Sequence, residues 1–142
     1  MKKFLLSVLL FGFCFSNPIE ISEVVVKEPA PNAKATGGFM KIKNNSDKSF
    51  KLVGVNSNFS KVGEIHTHKH VDGMMKMVKI DDLEIPANGE VVLKPGDLHI
   101  MFINLTKSLK EGDKVDFNLT FDDNSNVELK NIEVKKIKMM KH

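Results

Sequence analysis

Four residues with metal-binding side chains recur at a defined spacing in the middle of the chain. His66 is followed by Met77 after ten residues, by His99 after twenty-one more, and then by Met101 two positions on. Imidazole nitrogens and thioether sulfurs bind a metal without giving up a thiol proton, and together they suit a soft ion such as Cu(I). The spacing therefore predicts a Cu(I) site, provided that the fold brings the two halves of the motif together.

Other histidines and methionines could act as auxiliary ligands of Cu(I), or of Cu(II) where histidines cluster. They could equally be solvated side chains on a polar face or, in the tail, part of a frayed end. Met77 and Met101 themselves could be core residues, since methionine in a strand commonly fills gaps in packing. The auxiliary candidates are His68, His70, Met75, Met139, Met140 and His142.

Zinc is the main competing metal. Zinc accepts histidine but rarely a thioether, and it prefers cysteine or carboxylate ligands beside histidine. Glu64 and Asp72 lie close to the histidines in the sequence, so an adventitious zinc site is an alternative. Cu(II) would accept the histidines but would gain little from two sulfurs, so a set of two histidines and two methionines favours Cu(I).

Residues 1–16 are typical of a secretory signal peptide. Lys2 and Lys3 precede an apolar run over 4–15, and Cys14 and Ser16 provide small side chains before the expected cleavage point. The run is shorter than the roughly 20 residues that cross a bilayer. We therefore predict a domain of residues 17–142 that is exported to the periplasm and has no membrane span after cleavage.

The cysteine count limits the chemistry of that domain. Cys14 is the only cysteine of the chain, so the mature protein would contain neither a disulfide nor a thiolate ligand. A blue-copper electron-transfer site requires a cysteine and is excluded unless the leader is retained.

The composition argues against nucleic-acid binding. All 21 basic residues are lysine, and the chain lacks arginine, tryptophan and tyrosine, the residues that read base edges bidentately or stack on single strands. The net charge of +3 falls to +1 without Lys2 and Lys3. No polycationic surface for an acidic partner is therefore predicted from charge alone.

Short β-rich segments separated by turn residues predict an all-β domain. About nine strands at 8–12-residue spacing, without a 3.6-residue apolar stripe, indicate an antiparallel β-sandwich or a Greek-key barrel. The predicted strands cover residues 19–27, 39–43, 50–55, 62–71, 74–80, 91–93, 98–105, 115–121 and 127–137.

A predicted hairpin would order the candidate ligands. If Asp72 and Gly73 form a two-residue turn, His70 pairs with Met75 and His68 pairs with Met77. Side chains two apart on a strand share a face, so His66, His68 and His70 would lie together with Met75 and Met77. By the same rule His99 and Met101 point one way, while Leu98, Ile100 and Phe102 point to the core.

The chain resembles the PCuAC family of periplasmic copper chaperones. The motif His66, Met77, His99, Met101 matches the signature of that family, and the similarity extends over roughly 37–134 through the segments at 72–77 (DGMMKM), 85–89 (IPANG), 93–101 (LKPGDLHIM), 109–115 (LKEGDKV) and 119–121 (LTF). The resemblance implies a cupredoxin-like β-sandwich that binds Cu(I) through those four residues at an exposed edge. It also implies delivery to the dinuclear copper centre of a respiratory cytochrome oxidase, alone or with a Sco-type thiol protein.

Three functions remain open at this point. The first is a copper carrier without enzymatic activity. The second is a copper-dependent redox enzyme, in which His68 or His70 would enlarge the ligand set and an open position would receive substrate. The third is a secreted β-sandwich interaction module that binds no metal, which would require Met77 and Met101 to be buried away from His66 and His99.

Overall fold

The computed structural model describes residues 18–137, and these contain ten β-strands and no helix. The predicted signal peptide and the tail residues Met139, Met140 and His142 lie outside the described residues, so the predictions made for them stay predictions. The strands are β1 (Ile19–Lys27), β2 (Ala35–Asn44), β3 (Phe50–Ser57), β4 (Ser60–Val71), β5 (Met74–Ile80), β6 (Leu83–Ile85), β7 (Glu90–Leu93), β8 (His99–Leu105), β9 (Lys114–Phe121) and β10 (Asn126–Lys135).

The strands form two layers that are joined at one edge. Hydrogen-bonded neighbours follow the order β5-β4-β8-β2-β1-β10-β9-β3-β6, and β7 pairs with the far end of β2. The first layer contains β1, β2, β4, β5, β7 and β8, and the second contains β3, β6, β9 and β10. The pairing of β1 with β10, which joins the layers, is parallel, so the predicted sandwich is antiparallel except at this junction.

Alternating side chains build the core between the layers. Along β9 every second residue is buried, from Val115 to Phe121, as expected for a strand with one face toward the core. Phe102 of β8 connects the layers, since its ring centroid lies 4.6 Å from that of Phe59 and 5.1 Å from that of Phe117. Each fully buried side chain of this size contributes about 1.5–3 kcal/mol to folding.

The structure differs from the predicted strands in two places that matter for packing. β6 was not predicted, because three residues between turn signals are too short to show a pattern. β2 begins at Ala35 rather than Phe39, so Gly37 and Gly38 lie inside the strand. A Cβ atom on Gly38 would lie 2.8 Å from Cε2 of Phe102, so these glycines provide room for an aromatic ring and do not end the strand.

Other strand boundaries shift by only a few residues. β3 continues to Ser57 and β10 ends at Lys135, while β5 has the predicted bounds. Within residues 18–137 there is no helix with the length and hydropathy needed to cross a bilayer.

Candidate metal centre

Antiparallel pairing of β4 with β8 brings the two halves of the motif together. His66 lies directly opposite His99, and Glu64 lies opposite Met101. The ring centroids of His66 and His99 are 5.6 Å apart. Met101 shares a face with His99, while Ile100 between them is buried in the core. The histidines therefore meet on the outer face of the first layer.

The β4–β5 hairpin adds the third part of the motif in the predicted register. Asp72 and Gly73 both have positive φ angles, of 51° and 77°, as a type I′ turn requires. His68 lies opposite Met77, and His70 lies opposite Met75. These two pairs continue the row of donors that starts with His66 and His99.

One pocket connects the donors of the three strands. Its volume is about 240 Å³, and His68, Met77, His99 and Met101 all line it. Phe39 of β2 forms part of the wall, with its ring centroid 6.3 Å from that of His99. The rest of the lining consists of Lys27, Pro29, Ala30, Ala33, Ala35, Thr36, Gly37 and Gly96. His66 stands beside the pocket, against His99.

Exposure increases across the pocket from its floor to its rim. His99 is only 6% exposed, whereas Met77 on the edge strand β5 is 46% exposed; Met101 and His68 are intermediate. The resemblance implied a site at an exposed edge, but the structure combines an exposed rim with a buried floor. Neither Met77 nor Met101 belongs to the hydrophobic core.

Hydrogen bonds leave one nitrogen of each motif histidine free to bind a metal. Nε2 of His66 donates to Oε1 of Glu64 at 2.9 Å, and its Nδ1 is buried without a hydrogen-bond partner among the described residues. Nδ1 of His99 donates to the backbone carbonyl of Asp97 at 2.8 Å. Because a neutral imidazole has one donor and one acceptor nitrogen, the free lone pairs are on Nδ1 of His66 and Nε2 of His99.

The environment of His99 favours its neutral form. Burial lowers the pKa of His99 from its ordinary value of 6.5, and the positive charges that His66 and His68 can carry lower it further. The carbonyl of Asp97 acts in the opposite direction, because it stabilises the protonated ring. The net effect keeps the imidazole in the form that can bind a metal.

The geometry does not favour zinc. Within residues 18–137 no three His, Asp or Glu side chains are grouped so that they could hold a metal ion. The carboxylate of Glu64 is bonded to His66, and Asp72 lies in the hairpin turn two residues beyond His70. The other donors beside His99 in the pocket include the thioethers of Met77 and Met101, which zinc rarely takes.

The sequence interpretation did not identify three features of the site. Glu64 is predicted above only as an alternative zinc ligand, although its position two residues before His66 places both side chains on one face. The carbonyl of Asp97 and the ring of Phe39 gave no signal in the sequence, because both depend on the tertiary fold. His70 and Met75 are exposed and lie outside the pocket lining.

A larger basic groove adjoins the pocket across residues 29–34. Its volume is about 950 Å³, and it shares Lys27, Pro29, Ala30 and Ala33 with the pocket. Five lysines and one glutamate provide its charged lining: Lys27, Lys34, Lys107, Lys110, Lys136 and Glu28.

Solved structures share this fold. The copper-bound PCuAC domain from PmoF2 superposes with a TM-score of 0.71 over 85% of this chain and 95% of that domain, at 19% identity. The apo form of DR1885 from Deinococcus radiodurans superposes with a TM-score of 0.65 over 96% of this chain and 91% of DR1885, at 26% identity. Its Cu(I) form gives a TM-score of 0.63 over 80% of this chain and 74% of DR1885, at 27% identity. The predicted cupredoxin-like β-sandwich is confirmed.

Two bacterial proteins are similar in sequence. The uncharacterized protein RP573 of Rickettsia prowazekii is 38% identical over 85 residues, which is 58% of this chain and 46% of that protein. The putative lipoprotein Lxx21020 of Leifsonia xyli subsp. xyli is 29% identical over 108 residues, which is 75% of this chain and 64% of that protein. The chain thus spans between about half and two thirds of the relatives it matches.

The family model described as "Putative lipoprotein LpqE-like" matches residues 19–134, which is almost the whole described domain. This match and the PCuAC domains among the structural neighbours agree with the resemblance drawn from the motif. The chain belongs to the LpqE-like family, and its recognition as a PCuAC-type domain is confirmed.

Proposed function

We propose that this protein is a copper carrier that binds one Cu(I) ion through His66, Met77, His99 and Met101 and passes it to another protein. The observation that carries the proposal is the meeting of these donors on one sheet face, where both histidines keep a free lone pair. All four ligands are neutral, and a pair of imidazoles with a pair of thioethers suits Cu(I). The Cu(I) form of DR1885 among the neighbours supports the same metal.

The gradient of exposure suits a carrier that must both hold and release its ion. His99 at the floor is shielded from water, while Met77 at the rim is 46% exposed on an edge strand. An incoming ligand from an acceptor can therefore replace Met77 first and the buried ligands later. Exchange of one ligand at a time avoids a free copper ion.

The acceptor that we propose is the dinuclear copper centre of a respiratory cytochrome oxidase, reached directly or through a Sco-type thiol protein. The resemblance of the motif and of the segments around it supports this assignment. Export to the periplasm is supported by the signal-like residues 1–16 and by the lipoprotein family model. Thioether and imidazole ligands suit such an oxidising compartment, where a thiol would be at risk.

The alternative functions receive less support from the geometry. A copper redox enzyme would need a histidine-rich site with an open position, and within residues 18–137 no group of three His, Asp or Glu side chains is arranged to hold a metal. A module without metal would require Met77 and Met101 to lie in the core away from the histidines. Both methionines instead line the pocket that contains His99. We therefore propose a carrier without catalytic activity.

The test is an anaerobic Cu(I) competition titration of the mature protein with a chromophoric chelator. We expect the wild type to hold one equivalent in competition with the chelator, and the variant His66→Ala, Met77→Ala, His99→Ala, Met101→Ala to lose that equivalent. Met74→Ala is the matched control, because Met74 is 62% exposed on the same strand and lies on the opposite face from Met77. Unchanged binding by the quadruple variant would overturn the site, and absence of binding by the wild type would overturn the function.

A further inference from the structure

We infer that His70 and Met75 form a second, outer Cu(I) site on the β4–β5 hairpin, through which copper enters and leaves the inner pocket. The role in entry and exit rests on the proposed function of that pocket, whereas the site itself follows from the hairpin. The inference starts from the two pairs of donors that the hairpin register creates, His68 with Met77 and His70 with Met75.

The side chains of a directly opposed pair can reach a common ion. Residues directly opposite each other in an antiparallel pair have Cβ atoms about 4.5–5.5 Å apart. An imidazole nitrogen and a thioether sulfur on such a pair can therefore bind the same ion. His70 and Met75 are such a pair and both are exposed, so an ion can reach them from solvent or from another protein.

The methionines of β5 are unusually exposed. Five methionines lie among the described residues, of which Met40 is buried in the core and Met101 is partly buried. The three exposed methionines all lie on β5: Met74 is 62% exposed, Met75 is 56% exposed and Met77 is 46% exposed. Met75 and Met77 share one face of β5, and large exposed apolar side chains grouped on one face indicate a binding role more than a packing role.

The outer pair is continuous with the pocket along the β4–β5 hairpin. Pairs that follow each other on one face are about 6.5 Å apart along the strands, twice the rise of a residue. His68 lies between the outer pair and the inner ligands: its ring centroid is 5.8 Å from that of His99, and its Nδ1 is buried without a partner among the described residues. His68 and Met77 also line the pocket. The donors therefore form an unbroken line from His70 and Met75 to His99.

The two sites differ in the number and the exposure of their ligands. The outer pair offers two ligands at an exposed position, whereas the proposed inner site offers four, His66, Met77, His99 and Met101, at a partly buried one. The outer site should bind more weakly and fill only after the inner site. Copper stays Cu(I) throughout and each donor is neutral, so movement along the line is ligand exchange alone and needs no oxidant or reductant.

The first test follows methionine methyl groups labelled with ¹³C by NMR during anaerobic addition of Cu(I) alone. We expect the Met101 signal to shift during the first equivalent and the Met75 signal to shift during the second. A Met75 signal that stays unchanged through two equivalents would overturn the outer site. A Met75 shift with an unchanged Met101 signal would support the outer site and overturn the proposed function of the inner pocket, so the two failures are distinguishable.

The second test measures the rate at which the loaded protein gives Cu(I) to a chelator. We expect His70→Gln/Met75→Leu to slow transfer by roughly tenfold or more, while the affinity for the first equivalent is unchanged. Val71→Gln/Met74→Leu is the matched control: it places the same two side chains on the adjacent pair, which faces the other way. Equal transfer rates in wild type and both variants would overturn the role of the outer site in entry and exit.

Discussion

At the scale of single residues, the partners of the two motif histidines determine which nitrogen each presents. Glu64 fixes the ring of His66 from one side, and the carbonyl of Asp97 fixes that of His99. Hydrogen bonds of this kind orient a ligating imidazole and set its tautomer. The spacing of the motif predicts the four donors, but the sequence could not show which nitrogens are free, because that depends on tertiary neighbours.

The first prediction concerns Glu64. Glu64→Ala should weaken Cu(I) binding by about 10- to 100-fold, the usual cost of losing a hydrogen-bond partner of a metal ligand. Glu64→Gln should weaken Cu(I) binding less, since its amide oxygen can still accept a hydrogen bond from Nε2 of His66. The measurement is competition titration, with Glu84→Ala on the distant strand β6 as the control. Equal affinities for Glu64→Ala and wild type would contradict an orienting role.

The second prediction concerns the pH dependence of the metal-free protein. His99 should titrate below 6.5, because burial lowers its pKa, and NMR of the ring protons would measure the midpoint. The unfolded chain takes up a proton near pH 6.5 while the folded His99 does not. Stability should therefore decline as the pH falls below 6.5. Denaturant unfolding at several pH values would test this, and a His99 midpoint at or above 6.5 would contradict it.

At the scale of elements, the β4–β5 hairpin was predictable and the interior of β2 was not. The dipeptide at 72–73 specifies a turn of known geometry, so the register of the pairs beside it follows directly. Gly37 and Gly38 have the same local signature as a turn, yet they lie in a strand because Phe39 and Phe102 pack over them. Local sequence cannot distinguish these two uses of glycine.

The third prediction concerns glycines where the layers approach closely. A Cβ atom on Gly63 of β4 would lie 2.6 Å from the backbone oxygen of Val55 in β3. Gly63→Ala should therefore destabilise the fold by about 1–3 kcal/mol, measured by urea unfolding. Gly54→Ala is the control, because the nearest contact there is an ordinary 3.6 Å, to Thr120. Similar stabilities for the two variants would show that the layers can separate to accept a methyl group.

At the scale of the whole molecule, the core and the candidate metal centre are on opposite sides of the first layer. Ile65, Ile100 and Phe102 are buried between the layers, and the motif residues that alternate with them point outward. The core is thus complete without a metal. This separation also explains why the fold class could be predicted from strand and turn patterns, independently of the site.

The fourth prediction follows from that separation. The metal-free protein and the quadruple alanine variant should both be folded, with the same far-UV circular dichroism. Copper should then stabilise only the wild type, by about 2.7 kcal/mol when free Cu(I) is 100 times the Kd, or about 10 °C in Tm for a domain of this size. Anaerobic calorimetry with buffered Cu(I) would measure it, and an unfolded metal-free protein would contradict the prediction.

The basic groove beside the pocket bears on how quickly the proposed carrier would meet an acceptor protein. Five lysines and one glutamate line the groove, although the chain as a whole carries a net charge of only +3. Such a local field repels a free cation that approaches the pocket, and it attracts a partner with an acidic surface. Encounters with an acidic protein should then be accelerated by electrostatic steering and slowed by added salt, whose screening length at physiological ionic strength is about 8 Å. Copper exchange would in this way depend on collisions between proteins rather than on diffusion of the ion.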